Sequence, residues 1–161
     1  MKRGGFLKRR TPLASKGKSD TAKLKDEIQS PVREIVIARD GGCILRHSPD
    51  VSGCNGFTKT EPRRLILQAE HLITRANSAT NADTRLIVCV CQGHHGWKKW
   101  HQKEYEAVVR ELLSPERVAL WDRCEKDSWR PQRTGAYDWR LTVLALKQEL
   151  RKIKEPRWED Q

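Results

Sequence analysis

No run of apolar residues in this chain approaches the roughly 20 residues of a membrane-spanning helix, and no hydrophobic segment follows the basic N-terminus as a secretory leader requires. The expectation is an intracellular, cytoplasmic protein with no membrane partner. Disulfides are disfavoured there, and five cysteines are in any case an awkward count for a disulfide framework. Internal repeats are absent, and nothing marks a second domain; 161 residues fit one domain with tails.

Acidic residues are scarce where basic ones concentrate. Residues 1–25 hold nine Lys/Arg against Asp20 alone, which is +8 of the net +11, so the remainder carries only about +3. This tail is also rich in Gly, Ser and Pro and reads as disordered, either an arm that tracks phosphates or a solubilising extension. A balance this basic favours a polyanionic partner, nucleic acid being the commonest. The tail does not say what the folded part does.

Periodicity predicts the order helix, cysteine loop, strand, long loop, strand, turn, helix. "SPVREIVIARDGGC" reads as a helix capped by Ser30, with Pro31 in its first turn, Val32, Ile35 and Val36 as its stripe, and Gly41-Gly42 as its stop. "CILRHSPDVSGCNG" is a loop with Cys43 and Cys54 near its ends. "RRLILQAEHLIT" alternates as a strand, and "RLIVCVC" is continuous enough for one buried on both faces. Gly93 breaks it, and one helix is expected from about His94 or His95 through "EYEAVVRELL". Two more follow: "SPERVALWDRCEKD", and "DWRLTVLALKQELRKI" with Leu141, Leu144, Ala145 and Leu150 on one side.

The chemistry gathers in "CVCQGHHGWKKWH", Cys89 to His101. Thiolate and imidazole are the ligands tetrahedral zinc prefers, and Cys91-x-x-His94 is a two-ligand knuckle whose second pair would be Cys43 and Cys54. Cys89 competes for a ligand seat or packs as a small hydrophobe, and Cys124 falls to the core. Glu70-His71 ends the first strand and His95 begins the helix after the second, positions that a ββα arrangement would bring together at the open end of the hairpin. An acid, an imidazole ligand and a further imidazole there would make a divalent-metal site with an adjacent base. Lys98, Lys99 and Lys103 lie at helical spacing, as phosphate contacts or a solvated face. Trp97 and Trp100 either stack on bases or pack the helix; His47 and His101 have no clear partners.

"RDGGC", "AEHLITR" and "RLIVCVCQGHHGWKK" together resemble the HNH endonucleases, the ββα-metal or His-Me finger nucleases, over about Val32 to Lys99. The small chain with a basic tail is similar to phage- or prophage-encoded members, which would place it in a host's cytoplasm. The resemblance implies an α+β fold: a ββα-metal core with a zinc knuckle, preceded by one helix and followed by two or three. It divides the chain into the basic tail at 1–25, a nuclease core at 30–113 and a helical extension at 114–155. It implies His71 as the base that activates water, Glu70 and His95 as ligands of a catalytic Mg²⁺ or Mn²⁺, and Cys43, Cys54, Cys91 and His94 as the structural zinc set. Arg75 is a candidate for polarising the scissile phosphate. DNA, branched or single-stranded forms included, is the implied substrate, and no protein partner is indicated. The chain departs from the family at the acid, Glu70 where Asp is usual, and at the orienting Asn, since Asn77 and Asn81 lie earlier than expected and Asp83 competes for that role. The rival expectations are a zinc-stabilised nucleic-acid-binding module without catalysis and a zinc-bearing protein-interaction adaptor.

Overall fold

Ser19 caps the first helix by accepting a hydrogen bond from the Ala22 amide at 3.3 Å. The computed structural model describes residues 19–48, 51, 54–55, 66–73, 80–128 and 139–155. Helix α1 (Asp20–Glu27) follows that cap, so residues 20–25 are helical rather than part of a disordered tail. Its charged surface hides its purpose: it packs against the last helix, with Leu24 partly buried and Ile28 fully buried at its end. Two helices, not one, therefore precede the strands.

Helix α2 (Gln29–Asp40) begins straight after α1 with Ile28 at its N-cap and no side-chain cap, which displaces Ser30 from the expected capping role. It stops at Gly41, whose φ of 64° is the left-handed conformation that ends helices and that glycine adopts without strain. Val32, Ile35, Val36 and Ile37 are buried, and α2 packs on both strands.

Strands β1 (Leu67–His71) and β2 (Ile87–Cys91) form one antiparallel pair, with Leu67 opposite Cys91 and His71 opposite Ile87. All five residues of β2 are buried, the arrangement its β-branched composition predicts. Side chains meet the backbone of β2 as well. The Asp40 carboxylate accepts from the Cys89 amide at 2.8 Å, while Arg39 and Arg117 both donate to the Ile87 carbonyl, at 2.7 and 3.0 Å. Arg39 also donates to the Thr84 carbonyl and Arg117 to that of Arg85. "RDGGC" thus braces the strand while Gly41 turns the chain toward Cys43.

Helix α3 (Gln92–Lys98) starts at Cys91, and α4 (Gln102–Leu112) follows a break at 99–101. The expected single helix is two: Trp97 stacks on His101 with ring centroids 5.0 Å apart, and the His101 amide turns back to the Trp97 carbonyl. Helix α5 (Pro115–Ser128) packs beside the 3-10 turn at Thr84–Leu86 and is tied to α4 by Arg110, which pairs with Asp122 and Glu125.

Helix α6 (Trp139–Lys154) returns to α1 and α2. Its buried stripe is Trp139, Val143 and Leu146, with Leu150 partly buried; Leu141 and Leu144 are exposed, at 64% and 63%. Of the expected side only Leu150 turns to the core; Leu141, Leu144 and Ala145 face out. Two leucine-bearing stripes compete on this helix, and the one that packs against α1 and α2 is buried. The fold is α+β, a two-stranded antiparallel sheet among six helices in the described residues. No helix there is long and apolar enough to cross a membrane.

Candidate metal centre and adjoining groove

Four donors converge where the cysteine loop meets the end of β2. The Sγ atoms of Cys43, Cys54 and Cys91 and a ring nitrogen of His94 all lie within 4.8 Å of one another. Each is delivered by a local turn. Cys43 precedes a short 3-10 helix (Ile44–His47), Cys91 caps α3, and His94 follows one turn later with its amide on the Cys91 thiol at 3.5 Å. The Asn55 side chain accepts from the Gly93 amide, locking the Cys54 segment to the knuckle.

The spacing is compatible with a bound metal ion. Zinc–sulfur bonds of about 2.3 Å place two sulfurs roughly 3.8 Å apart, and a sulfur and an imidazole nitrogen somewhat closer. Cys54 and Cys91 are 3.9 Å apart, and Cys43 lies 3.1 Å from His94 Nδ1. Cys43, Cys91 and His94 are buried and Cys54 is half-buried, so these residues can hold a metal ion away from solvent. Burial pushes the Cys43 thiol well up. Burial opposes ionisation of Cys91 too, but hydrogen bonds from the His94 and Asn55 amides and from neighbouring thiols hold it below the usual thiol range. Cys89 stands outside the cluster. It is fully buried, and burial together with the Asp40 carboxylate pushes it up to about 12, the state of a neutral packing thiol.

On the other side of α3 lies an open groove of about 790 Å³, lined among others by Arg33, Glu70, His71, His95, Lys98 and Gln102. Its geometry differs from the expected one. Glu70 and His71 pair with Val88 and Ile87, at the end of the hairpin nearest the connecting loop, not with Cys91 at its open end. Helix α3 instead folds back over the strands and carries His95 and Lys98 to them. His95 Nδ1 is 2.6 Å from Glu70 Oε2, and Lys98 Nζ is 2.5 Å from Glu70 Oε1. Lys98 is therefore turned inward, over the Tyr105 ring as well, whereas Lys99 and Lys103 are exposed.

His71 is buried, and its Nε2 is 3.1 Å from the backbone carbonyl of Asn81. A carbonyl only accepts, so that ring nitrogen carries the proton and the basic lone pair falls on Nδ1. Asn81 thus sits at His71 despite its early place in the sequence, while Asp83 caps the next 3-10 turn and pairs with Arg85. Burial opposes ionisation of Asp83, but the bonds from Arg85 outweigh it and hold the carboxyl below its ordinary range. The Asn81 Oδ1 is itself buried without a hydrogen-bond partner among the described residues. Arg75 and Asn77 lie outside the described residues.

Arg33 was not foreseen as a groove residue. Its Nε donates to the Leu67 carbonyl at 3.1 Å while the side chain lines the wall opposite Lys98. The signal available was Gln29 and Arg33, four apart on the α2 face beside the buried stripe. His47 is exposed and accepts from Arg46, and His101 stacks on Trp97; neither joins a site.

No family model matches the sequence, and no curated protein or solved structure matches the chain.

Proposed function

We propose that this chain is a metal-dependent endonuclease of the HNH type that hydrolyses DNA phosphodiester bonds. The observation that carries the reading is the meeting of Glu70, His71 and His95 at one groove, with the His71 tautomer set by the Asn81 carbonyl. Cys43, Cys54, Cys91 and His94 hold a structural zinc in this reading, because a closed four-ligand set of three sulfurs and a nitrogen leaves no seat for substrate.

Glu70 and His95 suit a second, hard divalent ion such as Mg²⁺ or Mn²⁺. They would hold it through one carboxylate oxygen and one imidazole nitrogen, at a groove open to solvent. Such an ion would supply charge neutralisation on the phosphate and stabilisation of the leaving oxygen. Lys98 holds the second oxygen of Glu70, fixing the carboxylate's orientation. His71 Nδ1 takes a proton from water as the water oxygen attacks phosphorus. The bond from phosphorus to the 3′ oxygen breaks, and the departing oxygen takes a proton from solvent. The products carry a 5′-phosphate and a 3′-hydroxyl.

A non-catalytic, zinc-stabilised nucleic-acid-binding module is favoured by one feature: both Glu70 oxygens already have partners. Relaxation of supercoiled plasmid separates the two. The wild type is expected to nick with added Mg²⁺ or Mn²⁺ and not without; DNA binding with no cleavage in either metal would leave the binding module. Omitting the metal is a cleaner control than a strong chelator, which would also reach the cysteine cluster.

A further inference from the structure

Trp100 is 77% exposed, while the other described tryptophans are committed to packing. Trp97 stacks on His101 against the core, and Trp121 and Trp139 are buried. A large indole left in water at the break between α3 and α4 contributes nothing to the core, so folding does not account for it.

Its surroundings are cationic and close to the reactive groups. Lys99 Nζ lies 5.1 Å from the Trp100 ring centroid. The same lysine lines a hollow of about 470 Å³ together with Glu70, His95, Lys98 and Gln102. Lys99 thus lies over one face of the Trp100 ring and also lines the hollow that holds the acid–imidazole pair. A flat π surface beside an ammonium group is the pairing that holds single-stranded nucleic acid: the base stacks on the ring and the cation takes the phosphate. A paired base inside a duplex has both faces covered by its neighbours and cannot use such a ring. Of the other exposed large apolar side chains among the described residues, Leu112 ends α4, and Leu141, Leu144 and Ile153 lie on α6, which packs on α1 and α2.

We infer that Trp100 and Lys99 form a stacking platform for an unpaired nucleobase next to the phosphate that is cut, so that the preferred substrate is DNA with a single-stranded segment. This rests on the nuclease reading for its place in the reaction, but not for the binding itself.

The test compares wild type, Trp100→Ala and Trp100→Phe on one labelled strand and on the same strand in duplex. Affinity is read by fluorescence anisotropy without added Mg²⁺ or Mn²⁺, and kcat/KM is read with Mn²⁺. Trp100→Ala is expected to weaken single-strand binding and cleavage by about 5- to 150-fold, the range of one lost base stack, while duplex values stay unchanged. Trp100→Phe keeps most of the wild-type affinity, and all three proteins melt together because the ring stands in solvent. Equal single-strand affinity of wild type and Trp100→Ala overturns the platform. So does an equal loss on both DNA forms. Trp100-dependent binding without cleavage in any metal supports the platform and sinks the nuclease reading. Cleavage indifferent to Trp100 does the reverse.

Discussion

The two clusters that flank α3 are built from similar residue types to opposite ends. On one side, three thiols and an imidazole face inward, within 4.8 Å of one another and mostly buried. On the other, a carboxylate, two imidazoles and a lysine face a groove open to solvent. Enclosure by four protein donors saturates a metal and converts its binding energy into folding energy. Two donors at the edge of a groove leave room for water and substrate, so binding there can serve a reaction. Neighbouring His94 and His95 fall on opposite sides of this contrast, the first in the enclosed cluster and the second at the groove. His94 is fully buried, while the His95 side chain is 51% exposed.

If the division holds, breaking each cluster fails differently. The largest effect is expected at the closed one. Cys91→Ser removes a donor that also caps α3, and structural zinc contributes on the order of 10 kcal/mol in small zinc domains. Loss of the cooperative thermal transition and of bound zinc, measured by calorimetry and elemental analysis, is the expected result. Because thiols must lose their protons to bind, zinc affinity of the wild type should also rise with pH. A Cys91→Ser protein that keeps its zinc and its melting temperature would break the comparison.

Next comes the open cluster. His71→Ala should lower plasmid nicking by about 10²- to 10⁴-fold, the usual worth of a general base, with zinc content unchanged. Loss of zinc in this variant would mean that the two sides of α3 are one site.

This contrast was partly legible in the sequence because its strongest signals are local. Cys91-x-x-His94 needs only a strand end and one helical turn, and "RLIVCVC" has the β-branched run of a strand buried on both faces. What the sequence hid depended on distant partners. Which α6 stripe is buried depends on its packing against α2 and against α1, whose lysines resembled more of the tail. The break between α3 and α4 has no proline to announce it, and Trp97 stacks on His101 across it. The approach of His95 to Glu70 follows from α3 doubling back over the hairpin, not from strand register. Asn81 reaches His71 with a backbone carbonyl, which no side-chain motif announces.

The loop bearing Asn81 offers a finer probe, since it is braced from outside the groove. Arg117 of α5 donates to the Arg85 and Ile87 carbonyls at 2.9 and 3.0 Å. Arg117→Ala should lower kcat about tenfold through misplacement of His71's support. It should also cost about 2 kcal/mol of stability in a urea titration, with zinc content intact. A change in stability alone would reduce Arg117 to a brace for the strand.

The smallest effect is expected one step further along that loop. Asp83→Asn keeps a side-chain oxygen to cap the 3-10 turn and removes only the charge facing Arg85. Since Arg85 is well exposed, the expected cost is about 0.2–1 kcal/mol. Its sign with pH follows from the depressed carboxyl. Stability from a lowered pKa is fully present above the unfolded value near 3.8 and is lost only as pH falls through the lower folded value. The deficit of Asp83→Asn should therefore be constant between about pH 5 and about pH 8, where Asp83 is ionised folded or unfolded. Metal release from the thiolates would affect both proteins alike and cancel in the difference. A deficit that shrank across this interval would mean that Asp83 titrates higher, with burial rather than Arg85 governing it, and that the loop behind His71 is held by its backbone contacts alone.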